Sequence, residues 1–246
     1  MLPTVIIRTR NMNDVQQRTI DVLNENNIKY YILPHPTGKT FGEFNNDIFS
    51  ALMEIEWTND EYIMLLDDDV IPSFSGIMSL MSELENDPEL CGVSSLLVPN
   101  DITIARIYKA TQMPNFCFGG CIIRKAVLSR FQMPPEMECS EDDYFQIWCQ
   151  ENGFKLKISD IQCIHYSNDW RKKYVKDWEW HIASGKLNYH GEINMVSTFH
   201  YTEKGILEQM VKWAMLLTRH DRKLAKEVPK AMRRAFDNPE QYIKNR

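Results

Sequence analysis

Over the first hundred residues the hydrophobic pattern switches back and forth between two periods, and this alternation constrains the fold more than any other feature. Thr4 to Arg8 is a short apolar run rich in β-branched residues, the pattern of a buried strand. Asp14 to Asn24 spaces Val15, Ile20, Val22 and Leu23 among polar residues, as an amphipathic helix does. Ile28 to Leu33 reads as a second strand, stopped by Pro34-His35-Pro36. Phe41 to Trp57 places Phe44, Ile48, Ala51, Leu52 and Ile55 on one helical face. Tyr62 to Leu66 is a third strand, Ser73 to Asn86 a third helix and Gly92 to Val98 a fourth strand. Strand–helix alternation of this kind predicts a mostly parallel central sheet with helices on both faces, and ligands beyond the carboxyl ends of the strands.

The pattern then changes. Ile102 to Lys109 and Phe116 to Arg124 read as strands around a turn at Met113-Pro114-Asn115. A helix is expected from Ser140, as N-cap, to Asn152, and an extended segment from Lys155 to Ile164. Trp170 to Ser184 is aromatic and charged without a decisive period. Glu203 to Phe236 reads as helical, broken near Pro229. The segmentation is a nucleotide-binding half over 1–100, an acceptor-binding half of the same domain over 101–200, and a C-terminal helical extension over 201–246.

The sharpest local feature is the run from Tyr62 through Leu66 straight into Asp67, Asp68 and Asp69. Adjacent carboxylates repel one another and resist burial, and a hard divalent cation relieves both problems. Mg²⁺ or Mn²⁺ takes oxygen ligands, typically one or two carboxylates plus substrate phosphates. On an extended chain Asp67 and Asp69 share a side, so one can hold the metal and the other a ribose hydroxyl or a metal-bound water. The plain alternative is a solvated acidic turn. A second cluster, Glu141-Asp142-Asp143, opens the expected helix. Acids are favoured in a first helical turn by the helix dipole, yet a carboxylate crowded by two others also has the raised pKa of a general base.

Four stretches together resemble the family-2 glycosyltransferases. Val5-Ile6-Ile7-Arg8-Thr9-Arg10-Asn11 is similar to the family's first strand and nucleobase loop. Leu66-Asp67-Asp68-Asp69 is similar to its Asp-x-Asp metal motif. Phe118-Gly119-Gly120-Cys121-Ile122-Ile123-Arg124 resembles the glycine-bearing strand near the acceptor, and Glu141-Asp142 with Phe145 and Gly153 its Glu-Asp motif. The resemblance implies a GT-A, Rossmann-like three-layer α/β/α fold and single-sugar transfer from a nucleotide-diphosphate donor, a UDP-sugar by default, to a glycan or glycoconjugate hydroxyl. It implies Mn²⁺ or Mg²⁺ at Asp69, with Asp67 on metal or ribose, Asp68 beside the donor and His165 as a further ligand. It makes Asp142 the base, with Asp143 left open for that role. Thr9, Arg10 and Asn11 would line the nucleobase, although Arg8 and Arg10 read equally as strand-end surface residues. Gly119, Gly120 and Glu141 would lie near the acceptor. Trp148 stands where the family often has Arg, and the Gln-x-x-Arg-Trp signature of processive members is absent.

Weaker features add detail. Lys39 in Gly38-Lys39-Thr40 lacks Walker spacing, and approaches the diphosphate or is simply solvated. Trp170 stacks on an acceptor sugar or packs its segment onto the body. The net charge is −6, which argues against a nucleic-acid binder. It is unevenly spread: Lys204 to Arg246 carries eleven Lys/Arg and five Asp/Glu, a net +6, leaving −12 for the rest. The C-terminal helix, with Met210, Trp213, Leu216 and Leu217 as its apolar face, either packs on the domain or makes peripheral contact with an anionic membrane. Six cysteines without a Cys-x-x-Cys pair suit a reducing, cytoplasmic setting. Two other readings stay open: a haloacid-dehalogenase-like phosphatase, which also places Asp-x-Asp after a strand, and a non-catalytic nucleotide-sugar binder.

Overall fold

The computed structural model describes residues 2–54, 62–111, 115–137, 141–186 and 202–243. The strands are β1 (Thr4–Thr9), β2 (Tyr30–Pro34), β3 (Tyr62–Asp67), β4 (Val70–Ile71), β5 (Leu90–Pro99), β6 (Gly120–Arg124) and β7 (Lys155–His165). The helices are α1 (Gln17–Glu25), α2 (Phe41–Glu54), α3 (Phe74–Asn86), α4 (Ile102–Thr111), α5 (Lys125–Leu128), α6 (Glu141–Glu151), α7 (Trp170–Lys186), α8 (Glu203–Thr218), α9 (Leu224–Asp237) and α10 (Pro239–Ile243). They fall into two compact units, one of residues 1–100 and 113–166, the other of 101–112 and 167–246.

The first unit holds the whole sheet, in the order β2-β1-β3-β6-β5-β7-β4. Pairs β1/β2, β1/β3 and β5/β7 are parallel, while β3/β6, β5/β6 and β4/β7 are antiparallel. The sheet is therefore mixed, not mostly parallel. The departure comes from β6, which inserts antiparallel between β3 and β5. Its first four residues are all buried, so it reads as apolar as a parallel strand and its direction leaves no mark on the pattern. Strand alternation sorts the core by face. Val5, Ile7, Met64 and Leu66 join Leu23, Ile77, Leu80 and Leu84 from α1 and α3 in one buried cluster. The aromatic rings of Phe49, Phe118, Phe131 and Phe145 pack against one another in a second. Ser73 caps α3 by accepting from the Gly76 N–H. The proposed cap Ser140 lies outside the described residues.

The second unit is helical: α4, α7, α8, α9 and α10 around a core that includes Ile104, Ile107, Tyr174, Ile182, Val228 and Met232. Two expectations are corrected here. Residues 102–109 form α4 and not a strand, because Ile104 and Ile107 fall three apart on one buried face while Ile102 is 68% exposed. The C-terminal helix breaks at residues 219–223, where Asp221 accepts from the Lys223 and Leu224 N–H groups, and Pro229 sits inside α9. Trp170 to Lys186, without a decisive period in sequence, is a 17-residue helix.

Candidate active site

The site is built where β1 and β3 end side by side. Their parallel register places Arg8 opposite Asp67. Arg8 lies on the face of β1 opposite Val5 and Ile7 and is 4% exposed. Its Nη2 donates to Asp67 Oδ1 at 2.6 Å and its Nη1 to Asn45 Oδ1 at 3.1 Å. The guanidinium rests on the rings of Phe41 and Phe118, 5.4 and 5.7 Å from their centroids. Burial disfavours its charge, but the fields of Asp67, Glu141 and Asp142 outweigh that and hold it firmly protonated. Nε has no hydrogen-bond partner among the described residues.

Each of the three consecutive acids is handled separately. Asp67 takes Arg8. Asp68 Oδ2 lies 2.5 Å from the buried Thr9 hydroxyl, which also accepts from the Asn11 N–H at 3.0 Å. Burial pushes the Asp68 carboxyl up; the Thr9 hydrogen bond opposes this, and neighbouring Asp69 and Asp67 reinforce it. Asp69 Oδ2 lies 3.1 Å from His165 Nε2. That pair is set by backbone: Val70 is in register with His165, and the Tyr166 N–H donates to the Asp69 carbonyl at 2.7 Å.

The second cluster begins α6 and is joined to the first through the segment before β6. The Phe118 N–H donates to Asp142 Oδ1 at 2.7 Å, and Asn115 Nδ2 to Asp143 Oδ1 at 3.2 Å. One residue on, the Gly119 carbonyl accepts from the Asp67 N–H at 3.2 Å. A Cβ at Gly119 would stand 2.5 Å from Asp67 Oδ2, so only glycine lets that carboxylate lie against the backbone. A Cβ at Gly120 would stand 2.6 Å from Ser95 Oγ. Burial pushes Asp142 well above the usual carboxylate range; Glu141 and Asp67 add to this, while the Phe118 N–H and Arg8 oppose it. Burial likewise raises Asp143.

Among the described residues no three His, Cys, Asp or Glu side chains converge as a ready-made metal cage. The residues nonetheless fit part of one. A protein site for a hard divalent ion needs few side chains when phosphates and waters supply the rest. Asp69 Oδ2 and His165 Nε2, hydrogen-bonded at 3.1 Å, place an oxygen and a nitrogen donor side by side. Asp67 is turned toward Arg8 instead.

The remaining candidates contribute no side chain to these contacts. Arg10 and Asn11 are exposed, and the Asn11 side chain caps the short turn Met12–Asp14. Lys39 is paired with Asp47 at the surface. Trp170 is 3% exposed in the core of the helical unit, its ring 6.1 Å from that of Tyr108. Sequence reasoning left Arg8 as a possible surface residue and did not single out Asn45 as its partner. The available signal was a charged residue within an apolar strand that pairs with a strand ending in acid.

No protein-family model and no curated protein matches the sequence. Solved structures are similar. The mannosyltransferase PcManGT from Pyrobaculum calidifontis, in complex with GDP-Man and Mn²⁺, superposes with a TM-score of 0.57 and 14% identity over 96% of this chain and 87% of that one. The catalytic domain of Drosophila β1,4-galactosyltransferase 7 in complex with xylobiose gives 0.49 and 15% over 70% and 74%. A197 from STIV gives 0.48 and 17% over 68% and 87%. The chain thus shares the fold of the Pyrobaculum calidifontis structure.

Proposed function

We propose that this chain is an inverting, metal-dependent glycosyltransferase that moves one sugar from a nucleotide-diphosphate donor, a UDP-sugar by default, to a hydroxyl of a glycan or glycoconjugate. One observation carries the reading: consecutive residues Phe118 and Gly119 tie the two acidic clusters together, one through Asp142 and the other through Asp67. The glycosyltransferase fold supports it from outside the site.

In this reading Asp69 and His165 would hold Mn²⁺ or Mg²⁺, which would supply Lewis-acid charge against the negative charge developing on the leaving diphosphate, and Asp67, seated on Arg8, would face metal or ribose. Thr9, Arg10 and Asn11 border the nucleobase, and Thr9 positions Asp68. The carboxylate of Asp142, oriented by the Phe118 N–H, takes the proton of the acceptor hydroxyl as that oxygen attacks the anomeric carbon. Direct displacement with one base inverts the anomeric centre and needs no second carboxylate. Gly119, Gly120 and Glu141 border the acceptor.

The test is a panel of sugar nucleotides screened with and without Mn²⁺, first by thermal shift and then by product formation with simple glycan acceptors. A UDP-sugar should stabilise the chain only with metal, and stabilisation should grow with ligand concentration. Stabilisation indifferent to chelator would remove the metal from the account. Donor binding without product would leave a nucleotide-sugar binder.

A further inference from the structure

Helices α7 and α9 of the helical unit pack against each other and are tied at two levels. Where both begin, Arg171 Nε donates to Asp221 Oδ2 at 2.9 Å; further along both, Arg234 Nη2 donates to Glu179 Oε1 at 2.6 Å. A cavity of about 530 Å³ is lined by both helices, a volume within the range of small-ligand sites. Its lining among the described residues holds five cations and three acids. The acids are already engaged. Glu179 takes Arg234, Glu227 lies 3.9 Å from Lys223 Nζ, and Asp169 Oδ1 accepts from the Lys172 N–H at 3.1 Å. Arg171 spends only Nε, on an aspartate outside the lining. Lys172 and Lys176 have no acid within ion-pair distance among the described residues. They stand one turn apart on α7, about 6 Å along its axis, so their charges repel.

We propose that this cavity binds a small organic phosphate, a phosphate monoester or a diphosphate ester, with Lys172 and Lys176 gripping the phosphate from one turn of α7 and the Nη groups of Arg171 supplying further donors. Charge and size select this ligand. A phosphate dianion answers both ammonium groups at once and ends their repulsion, which a single carboxylate does only in part. The space exceeds what a bare phosphate fills, and the partly buried Val175 gives it an apolar patch for the organic part. A polymer of phosphates does not fit, because Glu179 and Glu227 interrupt the lining and the chain as a whole carries −6. The cavity lies wholly within the helical unit and needs no metal, so the proposal stands or falls independently of sugar transfer.

The test is isothermal titration calorimetry of the full chain with pyrophosphate, orthophosphate and glucose 1-phosphate, in EDTA so that no divalent metal carries phosphate to the acidic runs. Pyrophosphate should bind at one site and weaken as salt is raised. Glucose 1-phosphate should bind more tightly than orthophosphate, because the cavity has room for the sugar. Lys172→Gln with Lys176→Gln should weaken binding at least about tenfold, with circular dichroism and Tm as in the wild type, since both side chains are exposed. Lys226→Gln with Lys230→Gln, equally exposed on α9 but outside the described lining, should leave binding unchanged. Absence of binding by all three probes would overturn the proposal, as would unchanged binding by the Lys172/Lys176 variant. Equal weakening by the two double variants would overturn it too, by reducing the effect to general surface charge. Orthophosphate binding more tightly than glucose 1-phosphate would overturn the assignment to an organic phosphate.

Discussion

The molecule has two runs of three consecutive acids, and it treats them in opposite ways. In the run ending β3, each carboxylate has its own side-chain partner: Arg8 for Asp67, Thr9 for Asp68 and His165 for Asp69. In the run opening α6, the short hydrogen bonds come from neutral donors, a backbone N–H for Asp142 and an amide for Asp143, and burial lifts both carboxyls above their usual range. The first arrangement holds the Asp67 carboxylate beside the Arg8 guanidinium, although burial raises Asp68 here too. The second makes negative charge costly, which is the condition under which a carboxylate accepts a proton readily. In the proposed mechanism three acids in a row, Asp-Asp-Asp in one place and Glu-Asp-Asp in the other, serve as an anchor and as a proton acceptor respectively.

The largest effect should come from Asp142→Asn. Transfer should fall by about 10²–10⁴-fold in kcat, the usual span for a general base. The same variant should be the more stable protein. A carboxyl whose folded-state pKa is raised binds its proton more tightly when folded, so its contribution to stability is present at low pH and lost as pH rises through the raised value. Asparagine removes that loss. Tm above neutral pH should rise by about 2–4 °C for each kcal/mol recovered, and not at pH 3, as calorimetry would read directly. Wild-type activity should in turn fall on the acid side well above the ordinary carboxylate range. An acid limb near pH 4 would take Asp142 out of the role.

His165→Ala probes the other run. It should weaken the Mn²⁺ dependence of activity by about 10–100-fold in metal concentration while leaving the fold intact. Unchanged metal titration would leave the pairing with Asp69 a structural contact only. Arg8→Met should cost about 1–2 kcal/mol in urea unfolding, less than for a fully buried pair because the Asp67 side chain is 40% exposed. It should also move the acid limb to higher pH, since Arg8 is one of the groups that favour the Asp142 anion. Lys39→Ala should do least, within about twofold in activity and 0.5 kcal/mol in stability, because Lys39 spends its charge on Asp47 at the surface. A tenfold loss would return Lys39 to the diphosphate.

How much of this was legible in sequence follows from the range of the interactions. The strand running into Asp67, the helix opening at Glu141 and, β4 apart, the elements of the first hundred residues rest on local patterns and lie close to where the periodicity placed them within the described residues; residues 55–57 of the expected second helix lie outside those. The direction of β6 was not legible, because pairing partners lie dozens of residues away and a strand buried on both faces reads the same in either sense. The strand expected at residues 102–109 rests on the alternation of Ile102 and Ile104, whereas the helix that forms buries Ile104 and Ile107 and leaves Ile102 exposed. Arg8 was left open for a similar reason: its partner lies 59 residues on, and only the β1/β3 register brings the two together. Trp170 drew notice as an aromatic, yet an aromatic side chain is as useful to a core as to a ligand, and this one is buried.

The division of labour between the two acidic triplets is tested most directly by anomalous diffraction from a crystal grown with Mn²⁺ and a sugar nucleotide. The account predicts one manganese peak, bound by Asp69 and His165 and shared with the donor phosphates, and no manganese at residues 141–143. A peak on Asp142 or Asp143, with the 67–69 run still closed on Arg8, Thr9 and His165, would contradict it.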